Sequence, residues 1–592
     1  MTYKSSKIIL LVAPILVLTF IFVKCNRMMP VKKQTDSIEN QKELQVSTVK
    51  KLIDKKMSEM TLREKIAQMV ISSIVPDNLD EKSTEFTRVK KLCTEEKIGG
   101  FIFFKGNAGG YAWLSNKLQN FSETPLLISA DFERGTGMRV TDGTLFPNNM
   151  AIGATDNPDL AYKMGLVIGS ESRALGIGQD YCPVCDVNNN PDNPIINVRS
   201  FGEDPGLVTK MANAMIKGIQ EKNVVATAKH FPGHGDSEID SHKDLPVLNF
   251  SMDRLDKIEL VPFKSVISSG VRSVMVAHLS FPELESNPKI PASLSANIVQ
   301  GLLIDKLGFN GLIVTDALNM QGITKYFNTQ QVAKMCVESG IDLILMPVGE
   351  KKTIDAIESA VKNNEITEER INRSVEKILA AKTWLGLFDN KTVNENDVPN
   401  KVNTTENNAL SQQIADESIT LVKDEKNIFP VTNKNAKILA FNLSDGKENI
   451  NSDYFSKNLK ASFPNTDVID ISSDITDESA AAYTEKAGGY DYVVIGIFAK
   501  VKYGTGKISL PLTQINLIKN LSGSNIKLAA ISFGNPYLLK EFPSVPCYIC
   551  SYGDADVSIK AVMKAISGEI HFKGKLPVSI NEQYKFGTGI QK

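Results

Sequence analysis

The sequence predicts an α/β protein in two large parts: a (β/α)8 TIM-type barrel followed by a C-terminal α/β sandwich domain with a mainly parallel sheet. Three observations carry this reading. A chain of 592 residues is too long for one ordinary core. From about residue 50 to 388, short continuous apolar runs alternate with helical stretches, as in a parallel sheet buried on both faces. After an Asn-rich break the same alternation resumes.

The runs of the first part are "IGGFIFF" (98–104), "PLLISAD" (125–131), "IGQDYCPVCDV" (177–187), "VVATAKH" (224–230), "VRSVMVAH" (271–278), "NGLIVTD" (310–316) and "IDLILMP" (341–347). Seven runs in a domain of this length imply an eight-stranded barrel with one strand hidden or irregular. An amphipathic helix follows in "INRSVEKILAAKTWLGLF" (371–388), and "DNKTVNENDVPNKVNTTENN" (389–408) reads as a linker. The second part offers "KILAFNL" (437–443), "DVIDISS" (467–473), "YDYVVIGIF" (490–498), "IKLAAISFG" (526–534) and "PCYICSY" (546–552). These fit an open parallel sheet with helices. The glycines of "KYGTGK" (502–507) lack the spacing of a phosphate-cradling loop. The expected organisation is a signal or anchor segment 1–25, a tether 26–50, a barrel 51–388, a linker 389–408 and a C-terminal domain 409–592.

The N-terminus sets the expected location. Lys4 and Lys7 precede the uncharged stretch Ile8–Val23, and Lys24 and Cys25 follow it. This predicts an exported protein held at a bacterial membrane, either by lipid on Cys25 or by an uncleaved anchor. Phe22-Val23-Lys24 departs from the Leu–small–small pattern that precedes lipidated cysteines, so both routes stand. Net charge is −1, from 67 basic and 68 acidic residues, which removes nucleic acid as a partner because phosphate binding needs a surplus of Lys and Arg. A monomer acting on a small or neutral partner is expected, with no cofactor.

Seven cysteines include Cys182-Pro-Val-Cys185 and Cys547-Tyr-Ile-Cys550, both with metal-knuckle spacing. Both pairs lie in β-like apolar runs, where positions i and i+3 face opposite sides, so buried strand cysteines are expected.

Chemistry concentrates elsewhere. "KHFPGHGDSEIDSHKDLP" (229–246) holds three of the five histidines: His230, His234 and His242. Its proline and glycines break helix-face ligand spacing, so no metal is expected. Asp240 and His242 stand at i, i+2, which in an extended loop puts a carboxylate within reach of the imidazole Nδ1–H. That pairing fixes the tautomer and suits acid–base work. The apolar runs end in Asp131, Asp186, Lys229-His230, His278 and Asp316, and strand C-termini of a barrel converge on one mouth. Asp316 is the candidate nucleophile. A structural salt bridge of Arg199 with Glu203 or Asp204 is the competing use of that arginine.

These segments resemble glycoside hydrolase family 3, in its β-N-acetylglucosaminidase branch. "ISADFERGTGMRV" is similar to the family's Asp-x-Glu-x-Gly-x-x-Arg segment, with Arg134-Gly135-Thr136 expanded relative to the usual glycines. "PVCDVNNNPDNPIINVRSFGEDP", the histidine loop and "GLIVTDALNM" follow in family order, the last with Thr315 where serine is common. "ADESITLVKDEKNIFPV" and "GKLPVSI" resemble the C-terminal domain of two-domain members.

The resemblance implies that Asp316 is the nucleophile and that Asp240 and His242 form a dyad with His242 as acid and base. It implies that Asp131, Arg199, Lys229 and His230 bind the sugar. His278 is counted with them, either lining the site or supporting it, while His234 braces the loop and His571 lies on the surface. The implied activity is retaining removal of terminal N-acetylglucosamine from peptidoglycan fragments or chitooligosaccharides. Alternatives are a β-glucosidase or β-xylosidase of the same family, a phosphorylase of N-acetylglucosaminides, and a non-catalytic cell-wall-binding lipoprotein.

Overall fold

The structure is a computed structural model that describes residues 47–592 apart from 78, 445, 447–450 and 502–507. The export segment, Cys25, most of the expected tether and the "KYGTGK" stretch lie outside the described residues. Residues 47–59 form a helix that spans the expected tether–barrel boundary. Among the described residues no helix is long and apolar enough to cross a membrane.

Eight parallel strands form the barrel: β1 (Val70–Ile74), β2 (Gly100–Phe103), β3 (Leu127–Ala130), β4 (Gln179–Asp180), β5 (Val225–Phe231), β6 (Ser273–Val276), β7 (Leu312–Thr315) and β8 (Ile344–Leu345). Each strand pairs with its neighbour in sequence, β1 also pairs with β8, and a bridge between Val314 and Leu343 completes the circuit. Seven strands fall within the seven apolar runs. The hidden one is β1, "VISSI", whose Ser72 and Ser73 interrupt the apolar pattern. Ser72 is nevertheless buried, because its hydroxyl is satisfied by Glu350 and by Arg88.

The run 177–187 is corrected in one respect. Its regular ladder covers only Gln179–Asp180; Pro183 has no N–H to donate, yet the chain stays beside β5, with Val184 bridged to Lys229 and the Pro183 carbonyl accepting the Lys229 amide. Cys182 and Cys185 lie beyond the strand, buried and unpaired by disulfide.

Barrel helices are placed by caps and apolar stripes. Asp204 caps Pro205–Glu221 through the amide of Leu207, and Leu207, Val208, Met211, Met215, Ile216 and Ile219 face inward. This helix packs closely on Pro158–Ala174, where a Cβ on Gly218 would meet the Tyr162 carbonyl at 2.3 Å.

The second sheet has six strands in the order β11-β10-β12-β13-β14-β9. They are β9 (Thr420–Asp424), β10 (Ile438–Ser444), β11 (Thr466–Ile471), β12 (Tyr492–Phe498), β13 (Leu528–Ser532) and β14 (Cys547–Cys550). All pairings are parallel except β9 with β14. Alternate residues supply two cores, with Leu439, Phe441 and Leu443 on one face and Ile438 and Ala440 on the other.

The Asn-rich linker is more ordered than its composition predicts. It contains a short helix, Val398–Lys401, and its polar groups bond to the barrel. The buried carboxylate of Glu171 accepts from the Asn403 amide at 2.9 Å and from Asn407 Nδ2 at 2.7 Å, as well as from Thr136 and Thr144.

Candidate active site

A cavity of about 310 Å³ opens at the C-terminal ends of the barrel strands, and Asp131, Arg199, Lys229, His230, His242 and Asp316 all line it. The strand ends place them there. Asp131 follows β3 directly and Asp316 follows β7 directly. Consecutive residues on a regular strand face opposite ways, yet Lys229 and His230 both reach this cavity. The reason is an irregularity late in β5: Ala228 pairs with Val274 and Phe231 with Val276, so two residues stand opposite one.

One side of the cavity is a dense ionic cluster. Lys229 Nζ lies 2.9 Å from Asp131 Oδ1 and 2.8 Å from Glu133 Oε1. Arg199 grips Glu133 with two nitrogens, at 3.0 and 2.7 Å. Arg139 reaches Asp131 Oδ2 at 3.2 Å. Burial works against charge on both carboxyls, but Arg199 and Lys229 hold Glu133 well below the usual range, and Lys229 and Arg139 hold Asp131 down. Burial would also lower Lys229, and Asp131 with Glu133 reverse that. All these groups stay ionised and mutually oriented.

Glu133 and Arg139 were not among the predicted site residues. Both stand in "ADFERGTGMRV", at two and eight residues after Asp131. Arg199 pairs with neither Glu203 nor Asp204. Glu203 accepts from Ser579, and Asp204 caps its own helix.

The histidine loop forms the other side. His230 Nδ1 meets Asp186 Oδ2 at 2.7 Å, and Asp186 Oδ1 also accepts from the His234 amide at 2.7 Å. His234 is buried, with Nε2 at 3.1 Å from Ser241 Oγ, so it braces the loop. Burial lowers its pKa to about 4 despite Asp186 nearby. Gly235 is required here, since a Cβ would meet the Val187 carbonyl at 1.8 Å.

Asp240 and His242 are in contact, with Nδ1 at 2.8 Å from Asp240 Oδ1. The geometry differs from the extended loop expected. The same Asp240 oxygen accepts the His242 amide at 2.9 Å, and the Asp240 carbonyl accepts from Lys243, so an Asx-type turn brings the ring back to the carboxylate. Asp240 is buried, whereas the His242 side chain is 38 % exposed. Beyond it, Asp244 accepts from Tyr326 at 2.6 Å and from Lys325 at 3.1 Å, tying the loop to the segment after β7.

Asp316 accepts the Ala317 amide at 2.7 Å. Burial opposes its charge, but His230, His278 and that amide bring its pKa down to about 2. It is a carboxylate throughout the neutral range.

His278 does not line the cavity. It is fully buried, with Nδ1 at 2.8 Å from Ser293 Oγ and Nε2 at 3.1 Å from the Ala317 carbonyl. It stands two residues past β6 and holds the backbone next to Asp316. Of its two expected uses, lining the site or supporting it, these contacts fit support. Among the described residues no group of three or more His, Cys, Asp or Glu side chains is disposed to hold a metal. His571 is exposed.

Comparison with known proteins agrees with this geometry. Residues 61–381 match the glycosyl hydrolase family 3 N terminal domain, and residues 419–588 match the family's C-terminal domain. A beta-N-acetylglucosaminidase/beta-glucosidase of Cellulomonas fimi is 29% identical over 509 residues, 81% of this chain and 88% of the relative. The structure of a family 3 beta-N-acetylglucosaminidase from Paenibacillus superposes with a TM-score of 0.76 at 32% identity, covering 88% of this chain and 99% of that one. A beta-glucoside phosphorylase superposes at 0.80 with 27% identity, covering 90% and 96%. With both domains matched in order over a barrel and a mainly parallel C-terminal sheet, the chain belongs to glycoside hydrolase family 3.

Proposed function

We propose that the chain is a retaining exo-β-N-acetylhexosaminidase that releases terminal N-acetylglucosamine. The observation that carries this is the Asp240–His242 contact on the rim of the cavity that Asp316 lines. Asp240 holds Nδ1 and so orients the ring, and Nε2 is the nitrogen that exchanges a proton with substrate. Asp316 attacks the anomeric carbon as protonated His242 gives its Nε2 proton to the departing glycosidic oxygen. The products of that step are a glycosyl ester on Asp316, the free aglycone and a neutral imidazole. His242 then takes a proton from water, whose oxygen attacks the same carbon and frees the carboxylate. A route assisted by the substrate acetamide needs no aspartate here.

Asp131, Arg199, Lys229 and His230 bind the sugar hydroxyls, with Arg139 beside them. The names of the Cellulomonas and Paenibacillus relatives support N-acetylglucosamine as the sugar. Peptidoglycan fragments or chitooligosaccharides are the substrates, and an exported, membrane-held protein meets the former. Lys4, Lys7, the apolar stretch Ile8–Val23 and Cys25 support that location, through lipid or an uncleaved anchor.

Turnover of aryl N-acetylglucosaminide against aryl glucoside tests the sugar. Preference for the glucoside would overturn the assignment. Phosphorolysis is a second reading, supported by the likeness to a beta-glucoside phosphorylase and by a histidine in place of a second carboxylate, which would repel an anionic acceptor. Mass analysis of products with and without phosphate separates free sugar from sugar 1-phosphate.

A further inference from the structure

The sheet domain touches the barrel at a turn that bears on the site. Arg199 ends a short turn, Asn197–Arg199, in the long connection after β4. Asn197 holds a left-handed backbone, φ 41°, which asparagine tolerates but which a free loop does not select. The turn is held from outside. Val198 is 5% exposed and belongs to the hydrophobic core of the C-terminal domain, the cluster that also contains Tyr537. Asn188 Oδ1 accepts the Asn197 amide at 2.9 Å, while Asn188 Nδ2 donates to the hydroxyl of Tyr537 at 2.8 Å. The Arg199 carbonyl accepts from Asn149 at 2.9 Å, and neighbouring Asn148 donates to the Tyr552 carbonyl at 2.6 Å. Asn188, Asn197 and Tyr537 are almost fully buried, so these bonds form where water cannot replace them.

We infer that the C-terminal domain is a positioning element for the sugar site: through Val198 and Tyr537 it sets the turn that aims Arg199 at Glu133 and the cavity. This rests on Arg199 binding sugar. A two-nitrogen grip on a carboxylate tolerates little displacement, because both bonds are directional. A turn that drifts by half an ångström would loosen the Glu133 contact and, through Glu133, the position of Lys229. The barrel strands do not set this backbone themselves, since Arg199 lies far along the connection that follows β4.

The test uses the full chain. Tyr537→Phe removes the hydroxyl and keeps the ring, and Val198→Ala removes packing without a polar change. Each is expected to raise KM for an aryl N-acetylglucosaminide about 2- to 10-fold, the worth of one buried hydrogen bond or a small cavity. Little change in kcat is expected, the mark of binding lost equally from ground and transition state. In an Arg199→Ala background the same substitutions should change KM no further. A merely destabilising substitution would act alike in both backgrounds, and that result overturns the inference. Arg199→Ala alone separates the two layers. If it leaves KM unchanged, the sugar-binding reading of Arg199 fails and the positioning inference falls with it. If it raises KM while both Tyr537→Phe and Val198→Ala match the unaltered protein, only the positioning inference fails. Should Tyr537→Phe not fold, Val198→Ala decides alone.

Discussion

The two sides of the cavity hold their functional groups by opposite means. On the β3–β5 side, Asp131, Glu133, Lys229, Arg199 and Arg139 form a continuous ionic cluster, and the Lys229 and Glu133 side chains are 3% and 4% exposed. On the other side His242 is 38% exposed, sits on a loop, and is oriented by the buried carboxylate of Asp240. The first arrangement suits groups that must stay charged and still. The second suits a group that must lose a proton in the first half-reaction, regain one in the second, and admit an aglycone and then water. Charge neutralisation provides rigidity on one side; on the other a buried carboxylate orients a partly exposed imidazole that can exchange protons.

Asp316 stands between the two sides, and its loss should produce the largest effect. Asp316→Ala should lower turnover by on the order of 10⁴–10⁶ in a folded protein, as deleting a nucleophile does elsewhere. A slow 2-fluoro sugar should label Asp316 in the unaltered enzyme, read by peptide mass. A label on Glu133 or Asp186 would place the nucleophile on the wrong side of the comparison.

Next in size is the loop side. His242→Ala should cost a natural disaccharide about 10²–10⁴ in rate, the usual worth of general acid–base help. A good aryl leaving group departs without protonation, so its glycosylation step should suffer far less. Azide needs no deprotonation and should restore turnover once the second step limits. Equal losses on good and poor leaving groups, with no azide response, would reduce His242 to a structural or binding residue. Asp240→Asn should imitate part of the loss by disturbing the tautomer.

The ionic side should fail differently. Glu133→Gln leaves Arg199 without its two-nitrogen partner and Lys229 with Asp131 alone. Hydrogen bonds to charged groups are worth about 1.5–3 kcal/mol, so KM should rise roughly 10- to 100-fold with no dependence on leaving group. A Glu133→Gln protein whose loss tracks leaving-group pKa would show that the two sides are not separable.

Much of this division was legible in the sequence, for a physical reason. Barrel strands are buried on both faces, so their apolar runs stand out and their polar ends mark the mouth; Asp131, Lys229 and Asp316 were found that way. β1 was not, because Ser72 is buried with hydrogen-bond partners that only the fold supplies. The Asp240–His242 spacing indicated a contact, but the turn that makes it depends on the Asp240 carboxylate accepting its own neighbour's amide, which spacing does not show. His278 stayed open between lining and support for a related reason. A histidine near a strand end faces the mouth or the wall beneath it, and the Ser293 hydroxyl, 15 residues away, decides which.

Asp180 went unremarked, and it gives the smallest and most specific prediction. It ends β4, is fully buried, and its Oδ1 accepts the Phe132 amide at 2.9 Å while Oδ2 has no hydrogen-bond partner among the described residues. It thus holds the backbone between Asp131 and Glu133 from below. Burial pushes its pKa up to about 8, against the opposing pull of the Phe132 amide and of Lys229. An unfolded aspartate titrates near 3.9, so between about pH 4 and 8 the folded chain carries a proton that the unfolded chain has lost. Stability from this group is therefore complete below about pH 4 and declines as pH rises towards 8, by at most about 1.4 kcal/mol per pH unit. Asp180→Asn keeps the acceptor for Phe132 and cannot ionise. Its unfolding midpoint should match the unaltered protein below about pH 4 and exceed it increasingly towards pH 8. Parallel midpoint curves across that range would mean that Asp180 is ionised in the folded protein. The base of the ionic side would then carry a third carboxylate beside Asp131 and Glu133, and the contrast between a neutralised, rigid side and an exchangeable one would have to be redrawn.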